Sequence, residues 1–233
     1  MSRKNLLSDL AAHLYATSAQ DSGRTPSERE LAEHFGVSRG QIRETLAVLE
    51  AMQVVERRAK SGIFLTSRFA SVDALALFAK AGLPLDPIQI YETVELRKIH
   101  EIKAAELASS RATEENFARL REVLDRSEQR ITDGGSLGEE DRDFHLEIVR
   151  ATQNTVFYNV CSVYYAMGVR RLPVYFSDPE RCRQSHAEHI QIYEALRRRD
   201  ANLAQALMGS HLQGAEGYWK GLIAGRQPPT VPD

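Results

Sequence analysis

Twice in succession this chain sets a serine three residues ahead of a side chain able to reach back to it, Ser27 before Glu30 and Ser38 before Gln41. That is the pattern of a capping box: the serine oxygen accepts from the third helical N–H, and the later side chain satisfies the N–H of the serine. Each serine therefore opens a helix. Between them, Gly36 follows the apolar positions Leu31, Ala32 and Phe35 and supplies the residue that most readily turns left-handed to end a helix. The second helix then carries a buried stripe of Ile42, Leu46 and Leu49. Two short helices joined by Gly36-Val37-Ser38 form a helix-turn-helix.

The flanks complete a small domain. Leu6, Leu7, Leu10, Leu14 and Tyr15 recur at helical spacing upstream, with a polar break from Ser18 to Thr25. After Met52 the pattern changes to Val54-Val55-Glu56-Arg57-Arg58, a turn at Ala59 to Gly62, and Ile63-Phe64-Leu65-Thr66, which reads as a β-hairpin, the wing. Past Ser67 the pattern is helical, with breaks at Gly82-Leu83-Pro84, Ala112-Thr113, Asp133-Gly134-Gly135, Gln153-Asn154, Ser177-Asp178-Pro179 and Asp200-Ala201. The fold class expected is mainly α: a winged helix-turn-helix over residues 1–68, an all-helical bundle of six or seven helices over 69–226, and a loose tail over 227–233.

The net charge of −2 conceals an asymmetry. Residues 1–69 hold 10 Lys and Arg against 8 Asp and Glu, or +2, and the remainder holds 20 against 24, or −4. This split suits a nucleic-acid-binding front end on a sensing or dimerising body, although the motif carries more weight than the charge. No apolar run approaches the roughly 18 residues that cross a bilayer, and the start leads into an amphipathic stretch, so a cytoplasmic protein without a membrane partner is expected. Cys161 and Cys182 have neither metal-motif spacing nor disulfide density and are read as reduced, partly buried thiols.

A recognition helix enters the major groove with its first residues facing base edges. Here these are Ser38, Arg39, Gly40, Gln41 and Arg43. Arginine binds guanine bidentately and glutamine pairs with adenine, while Ser38 and the helix N-terminus suit phosphate. Arg29 is placed to touch the backbone or an adjacent base, and Lys60 and Gly62 at the wing tip to approach the minor groove. The run from Ser27 to Arg39, together with Arg43-Glu44-Thr45-Leu46 and Leu49-Glu50, resembles the winged-helix signature of the GntR family of transcription regulators. The resemblance implies that Arg29, Ser38, Arg39, Gly40, Gln41, Arg43 and Gly62 face double-stranded operator DNA. Two positions depart from the family pattern: Thr25 stands where leucine is usual, and Gln53 where glycine commonly precedes the wing. The geometry of those turns is therefore at issue.

In the second half, Asp141 and His145 are four residues apart, so a helix projects both from one face. His189 and His211 lie on the last two expected helices among apolar neighbours. A lone histidine on an apolar face is as a rule a core residue bonded to backbone, so spacing alone leaves these roles open. The arrangement resembles the helical effector (FCD) domain of the FadR-like subgroup of the same family, which implies that Asp141, His145, His189 and His211 bind a divalent metal. Imidazole and carboxylate suit Zn or Ni, with Mn or Fe as further choices. Such a ligand set leaves positions on a six-coordinate ion for water or an effector carboxylate. Arg97 resembles the family arginine that faces this cavity and has the planar fork a carboxylate fits; its other reading is an ion pair with Glu101. Asn154 follows the family pattern as an effector-side residue and is also placed to cap the next helix. His186 reads as solvent-facing or as a neighbour of the ligands, and His13, His34 and His100 fit no pattern.

The function expected is that of a homodimeric, ligand-responsive regulator, a repressor relieved by a small organic acid. Two alternatives share the same ligand set: a metal-dependent enzyme of small carboxylates, and a regulator whose metal is only structural.

Overall fold

The computed structural model describes residues 3–18, 23–59, 61–66, 71–82, 87–167 and 171–223. Lys60, most of the segment joining the wing to the next helix, and the tail from 224 onward lie outside them. The chain divides into two compact units, Met1–Leu83 and Pro84–Asp233.

The first unit holds α1 (Arg3–Ser18), α2 (Glu28–Phe35), α3 (Arg39–Ala51), strands β1 (Val55–Arg58) and β2 (Gly62–Leu65), and α4 (Val72–Lys80). Both expected capping boxes are formed, on Ser27 with Glu30 and on Ser38 with Gln41. Gly36 takes φ 63° and its N–H bonds Ala32 O, ending α2 as read from the sequence. Strands β1 and β2 pair antiparallel, with Val55 opposite Leu65 and Arg58 opposite Gly62. The residues just before α2 extend this hairpin: Thr25 N–H donates to Ile63 O at 2.9 Å, and Leu65 N–H to Gly23 O at 2.7 Å. Thr25 thus occupies its unusual position without loss, and its hydroxyl also reaches Ile63 O at 3.2 Å.

Gln53 is more instructive. The N–H of Gln53 bonds Glu50 O and that of Val54 bonds Leu49 O, the two bonds that close a helix through a left-handed residue. Gln53 is that residue, at φ 59°, where glycine would be free of strain. The same conformation recurs at Gln153 after α7 and at Arg199 after α10.

A single core unites Leu10 and Leu14 of α1, Leu31 of α2, Ile42, Leu46 and Leu49 of α3, Val54 and Val55, and Ala74, Leu77 and Phe78 of α4. The sequence division at residue 68 is corrected here. Helix α4 buries its apolar face in this core, with Tyr15 meeting Phe78 edge to face at 6.0 Å, so the compact unit runs to Leu83.

The second unit contains seven helices among its described residues: α5 (Pro87–Arg111), α6 (Glu114–Thr132), α7 (Gly138–Ala151), α8 (Thr155–Met167), α9 (Arg171–Tyr175), α10 (Pro179–Arg197) and α11 (Ala201–Ile223). Helices α5 and α11 pack along each other, and α7 lies between α5 and α6. Thr113 caps α6, and Asp178 caps α10 with Pro179 in its first turn, where a missing N–H costs nothing. Ala104, Ala105 and Ala108 of α5 let neighbours approach closely, while Phe117, Leu120, Leu124, Phe144, Ile148 and Ile192 fill the interior. No helix among the described residues is long and apolar enough to cross a membrane.

Gln53→Gly should stabilise the first unit by about 0.5 to 1 kcal/mol by relieving the left-handed backbone, and Gly36→Ala should cost about 1 kcal/mol. Urea unfolding of the two variants against the parent measures both; a lower midpoint for Gln53→Gly would contradict the strained-turn account.

Candidate nucleic-acid interface and metal centre

The serine cap delivers the start of α3 to solvent. Ser38, Arg39, Gly40, Gln41 and Arg43 are all exposed, while Ile42, Thr45, Leu46 and Leu49 hold the other face in the core. Arg29 is exposed in the first turn of α2, and Gly62, at φ 114°, sits at the exposed start of β2. Gly62 thus has a backbone reason to be glycine. Gly40 has none among the described residues, where a Cβ would meet Ser38 Oγ at 3.7 Å, an ordinary contact.

The side chains of this face are partly committed. Gln41 Oε1 accepts from Ser38 N–H and Ser38 Oγ, both at 3.0 Å, so its carbonyl serves the cap and Nε2 is the group left for a base. Arg43 is held by Glu28, with Nη2 donating to Oε2 at 2.9 Å. That hydrogen bond keeps the Glu28 carboxyl below its ordinary range. Arg57, on β1, donates through Nε to Glu50 at 2.9 Å. Arg24, Arg57 and Glu28 line a cavity of about 690 Å³ with Thr25, Ser27 and Gly62. The sequence reading passed over Arg24, Arg57 and Glu28; their proximity to the recognition face depends on strand pairing that no local pattern announces.

In the second unit the structure brings Asp141, His145, His189 and His211 together, with one ligand atom from each lying within 4.8 Å of all the others. Asp141 and His145 project from one face of α7, His189 from α10 and His211 from α11. His211 Nε2 lies 3.2 Å from the Nε2 of both His145 and His189, and Asp141 Oδ1 lies 3.5 Å from each of the latter two. All four are buried. Phe144 stacks flat on His189 at 4.1 Å and 15°, fixing that ring from the side.

Two carboxylates organise the histidines: Glu101, expected only as an ion-pair partner of Arg97, and Glu188, which carried no expectation. Glu101 Oε2 lies 2.6 Å from His145 Nδ1, and Glu188 Oε2 lies 2.6 Å from His211 Nδ1. Both turn the opposite nitrogen, Nε2, toward the centre. Glu101 also accepts from Arg97 Nε at 2.5 Å and from the Tyr165 hydroxyl. Their signal is weak: Glu101 lies four residues after Arg97 and Glu188 stands just before a ligand, but the neighbouring sequence of each is that of an ordinary surface glutamate.

Arg97 therefore makes the ion pair with Glu101 and also faces the cluster, its Nη2 lying 3.4 Å from Asp141 Oδ2. Asn154 stands apart from the buried cluster: it is exposed, and its Oδ1 accepts from Phe157 N–H to cap α8. His186 is half-buried, and burial lowers its pKa.

The charges fit a cation. Burial opposes ionisation of Asp141 and Glu101, yet His145 and Arg97 hold Asp141 far below its usual range, and Arg97 and His145 hold Glu101 down to about 2. Two buried carboxylates thus face one guanidinium. His145 is raised against its burial by Glu101 and Asp141, whereas burial pushes His189 and His211 down, so that neutral imidazole is favoured at both. With a carboxylate at Nδ1 of His145 and of His211, their two Nε2 atoms face each other across 3.2 Å, and when deprotonated they turn their lone pairs to one point. A divalent ion at roughly 2.1 Å from each would satisfy them.

Comparison with known proteins agrees with both halves. Residues 7–65 match the family of bacterial regulatory proteins named gntR, and residues 92–214 match the FCD domain. The chain is 30% identical over 201 residues to the HTH-type transcriptional regulator LutR of Bacillus subtilis, covering 84% of this chain and 90% of that one. It is 28% identical to the HTH-type transcriptional repressor NanR of Cronobacter sakazakii, covering 84% and 77%. Its fold is that of Lar, which controls expression of the Listeria monocytogenes agr system, with TM-score 0.66 at 18% identity, covering 95% and 98%. The chain belongs to the GntR family, in the branch that carries an FCD domain, and is a DNA-binding transcription regulator and not an enzyme.

Proposed function

We propose that the protein is a homodimeric repressor that binds a pseudo-palindromic operator through α3 and responds to a small carboxylate received beside a divalent metal in the helical unit. The observation that carries the DNA half is Gly40. Glycine in a helix costs about 0.5 to 1 kcal/mol relative to alanine, and no contact among the described residues requires it. Close approach of a phosphate or base edge to the first turn of α3 supplies the reason. Arg39 and Arg43 then read bases, Ser38 and Arg29 hold the backbone, and Gly62, with Lys60 two residues before it in sequence, follows the groove from the wing. Repression is supported by the name of the NanR relative.

In the helical unit, Asp141, His145, His189 and His211 would hold the ion, which supplies Lewis-acid positions to a carboxylate oxygen. Glu101 and Glu188 keep the imidazoles of His145 and His211 turned inward. Arg97 offers the guanidinium edge that a carboxylate pairs with, in competition with Glu101 and Asp141. A ligand that displaces either carboxylate from Arg97 disturbs α5 and α7 together. Its regulatory effect equals its differential affinity for the two states of the protein, on the order of 1–3 kcal/mol in typical cases. A purely structural metal is the second reading, favoured by the depth at which the ligands are buried.

Arg39→Ala or Arg43→Ala should each weaken specific operator binding by roughly 1–3 kcal/mol; unchanged binding in a gel-shift titration would remove that residue from base reading. Gly40→Ala should raise the unfolding midpoint slightly while lowering operator affinity, and a variant that gains both stability and affinity would sink the close-approach argument. Combined His145→Ala and His189→Ala should abolish stoichiometric metal in elemental analysis, and retention of one ion per chain would place the metal elsewhere. Chelation followed by titration with a panel of small carboxylates separates the two readings of the ion. Loss of binding identifies an effector-side metal, and intact binding with a lower Tm identifies a structural one.

A further inference from the structure

Glu28 is an acidic residue on a face meant for a polyanion. Its carboxylate takes Arg43 along one edge of the guanidinium: Nη2 donates to Oε2 at 2.9 Å, and Nε lies 3.3 Å from Oε2 and 3.4 Å from Oε1. The glutamate side chain is 19% exposed and the arginine 63%, so the carboxylate sits beneath and the outer end of the guanidinium faces solvent. Glu28 opens α2, where the helix N-terminus favours a negative charge. It is also 4.0 Å from Arg57 Nη1, and Arg57 is tied in turn to Glu50 of α3. One carboxylate thus lies among side chains from α3 and the wing.

An exposed ion pair of this kind contributes little to stability, and its negative charge opposes binding to any DNA through phosphate repulsion. What the arrangement does provide is direction. A free arginine must give up rotamer freedom to meet a base, whereas one already gripped by its Nε and Nη2 edge gives up less. That grip leaves Nη1 and the outer N–H of Nη2 as the pair facing outward, a fork matched to guanine O6 and N7.

We propose that Glu28 is a positioning residue for sequence reading: it holds Arg43 so that the guanidinium meets the groove end-on, and so sets operator preference without touching DNA. This rests on the reading that α3 docks in the major groove. Glu28→Gln in the full-length protein tests it, since glutamine keeps the shape and loses the charge. The probes are a duplex enriched by the parent protein from a randomised pool and the same base pairs in scrambled order. The ratio of the two affinities should fall about tenfold, while affinity for the scrambled duplex holds or rises and Tm is unchanged. Adding Glu28→Gln to Arg43→Ala should not lower the ratio further, because the pair acts as a unit. An unchanged ratio, equal gains on both duplexes, or equal losses on both with a lower Tm would each overturn the proposal. If Arg43→Ala itself leaves the ratio intact, base reading by Arg43 fails; if Arg43→Ala lowers it and Glu28→Gln does not, only the role of Glu28 fails.

Discussion

Ions buried without partners cost several kcal/mol each, and the centre of the helical unit holds Arg97, Glu101 and Asp141 beside three imidazoles, all nearly excluded from solvent. They are tolerable only as a set. Glu101 answers Arg97, His145 and Tyr165 at once, so one carboxylate of α5 reaches both α7 and α8, and Asp141 ties α7 back to Arg97. His189 and His211 bring α10 and α11 to the same point. Five helices are thereby held by polar geometry, and the surrounding apolar side chains supply the burial that makes the geometry matter. Removing one member leaves the others with an uncompensated charge, which ties the bundle's stability to its chemistry.

The winged unit works by the opposite means. Its order is local, written in caps and turns a few residues long, and its polar groups face outward. Ser38 begins the helix and Gln41 closes the cap, so the same residues that start α3 are those at its exposed tip. Local chemistry and placement of the interface cannot be separated there: a change that loosens the cap also moves Arg39 and Arg43.

This difference explains what was legible in the sequence. The helix-turn-helix could be read to the residue because Ser27, Gly36 and Ser38 each carry their own conformational rule. The hairpin was legible too, from the change of period at Val54. Helix α4 was assigned to the wrong side of a boundary because its apolar stripe says that it is buried but not against what. The four clustered side chains were reached through family resemblance, since spacing linked only Asp141 to His145. Glu188 escaped, as did the part Glu101 plays toward His145, because a glutamate's role in orienting a ring depends on the packing of separate helices. Gln53 shows a milder limit: the missing glycine marked an unusual turn, and only the backbone revealed that glutamine accepts the left-handed geometry unchanged.

The two thiols carry a practical consequence. Cys161 lies buried, and burial together with Glu101 pushes it up to about 12, while burial raises Cys182 as well. At neutral pH neither presents an appreciable thiolate to alkylating or oxidising reagents. A cysteine engineered onto the exposed tip of α3 would therefore be the chain's one fast-reacting sulfur, and a fluorophore attached there would report DNA docking without first stripping the native cysteines from the core.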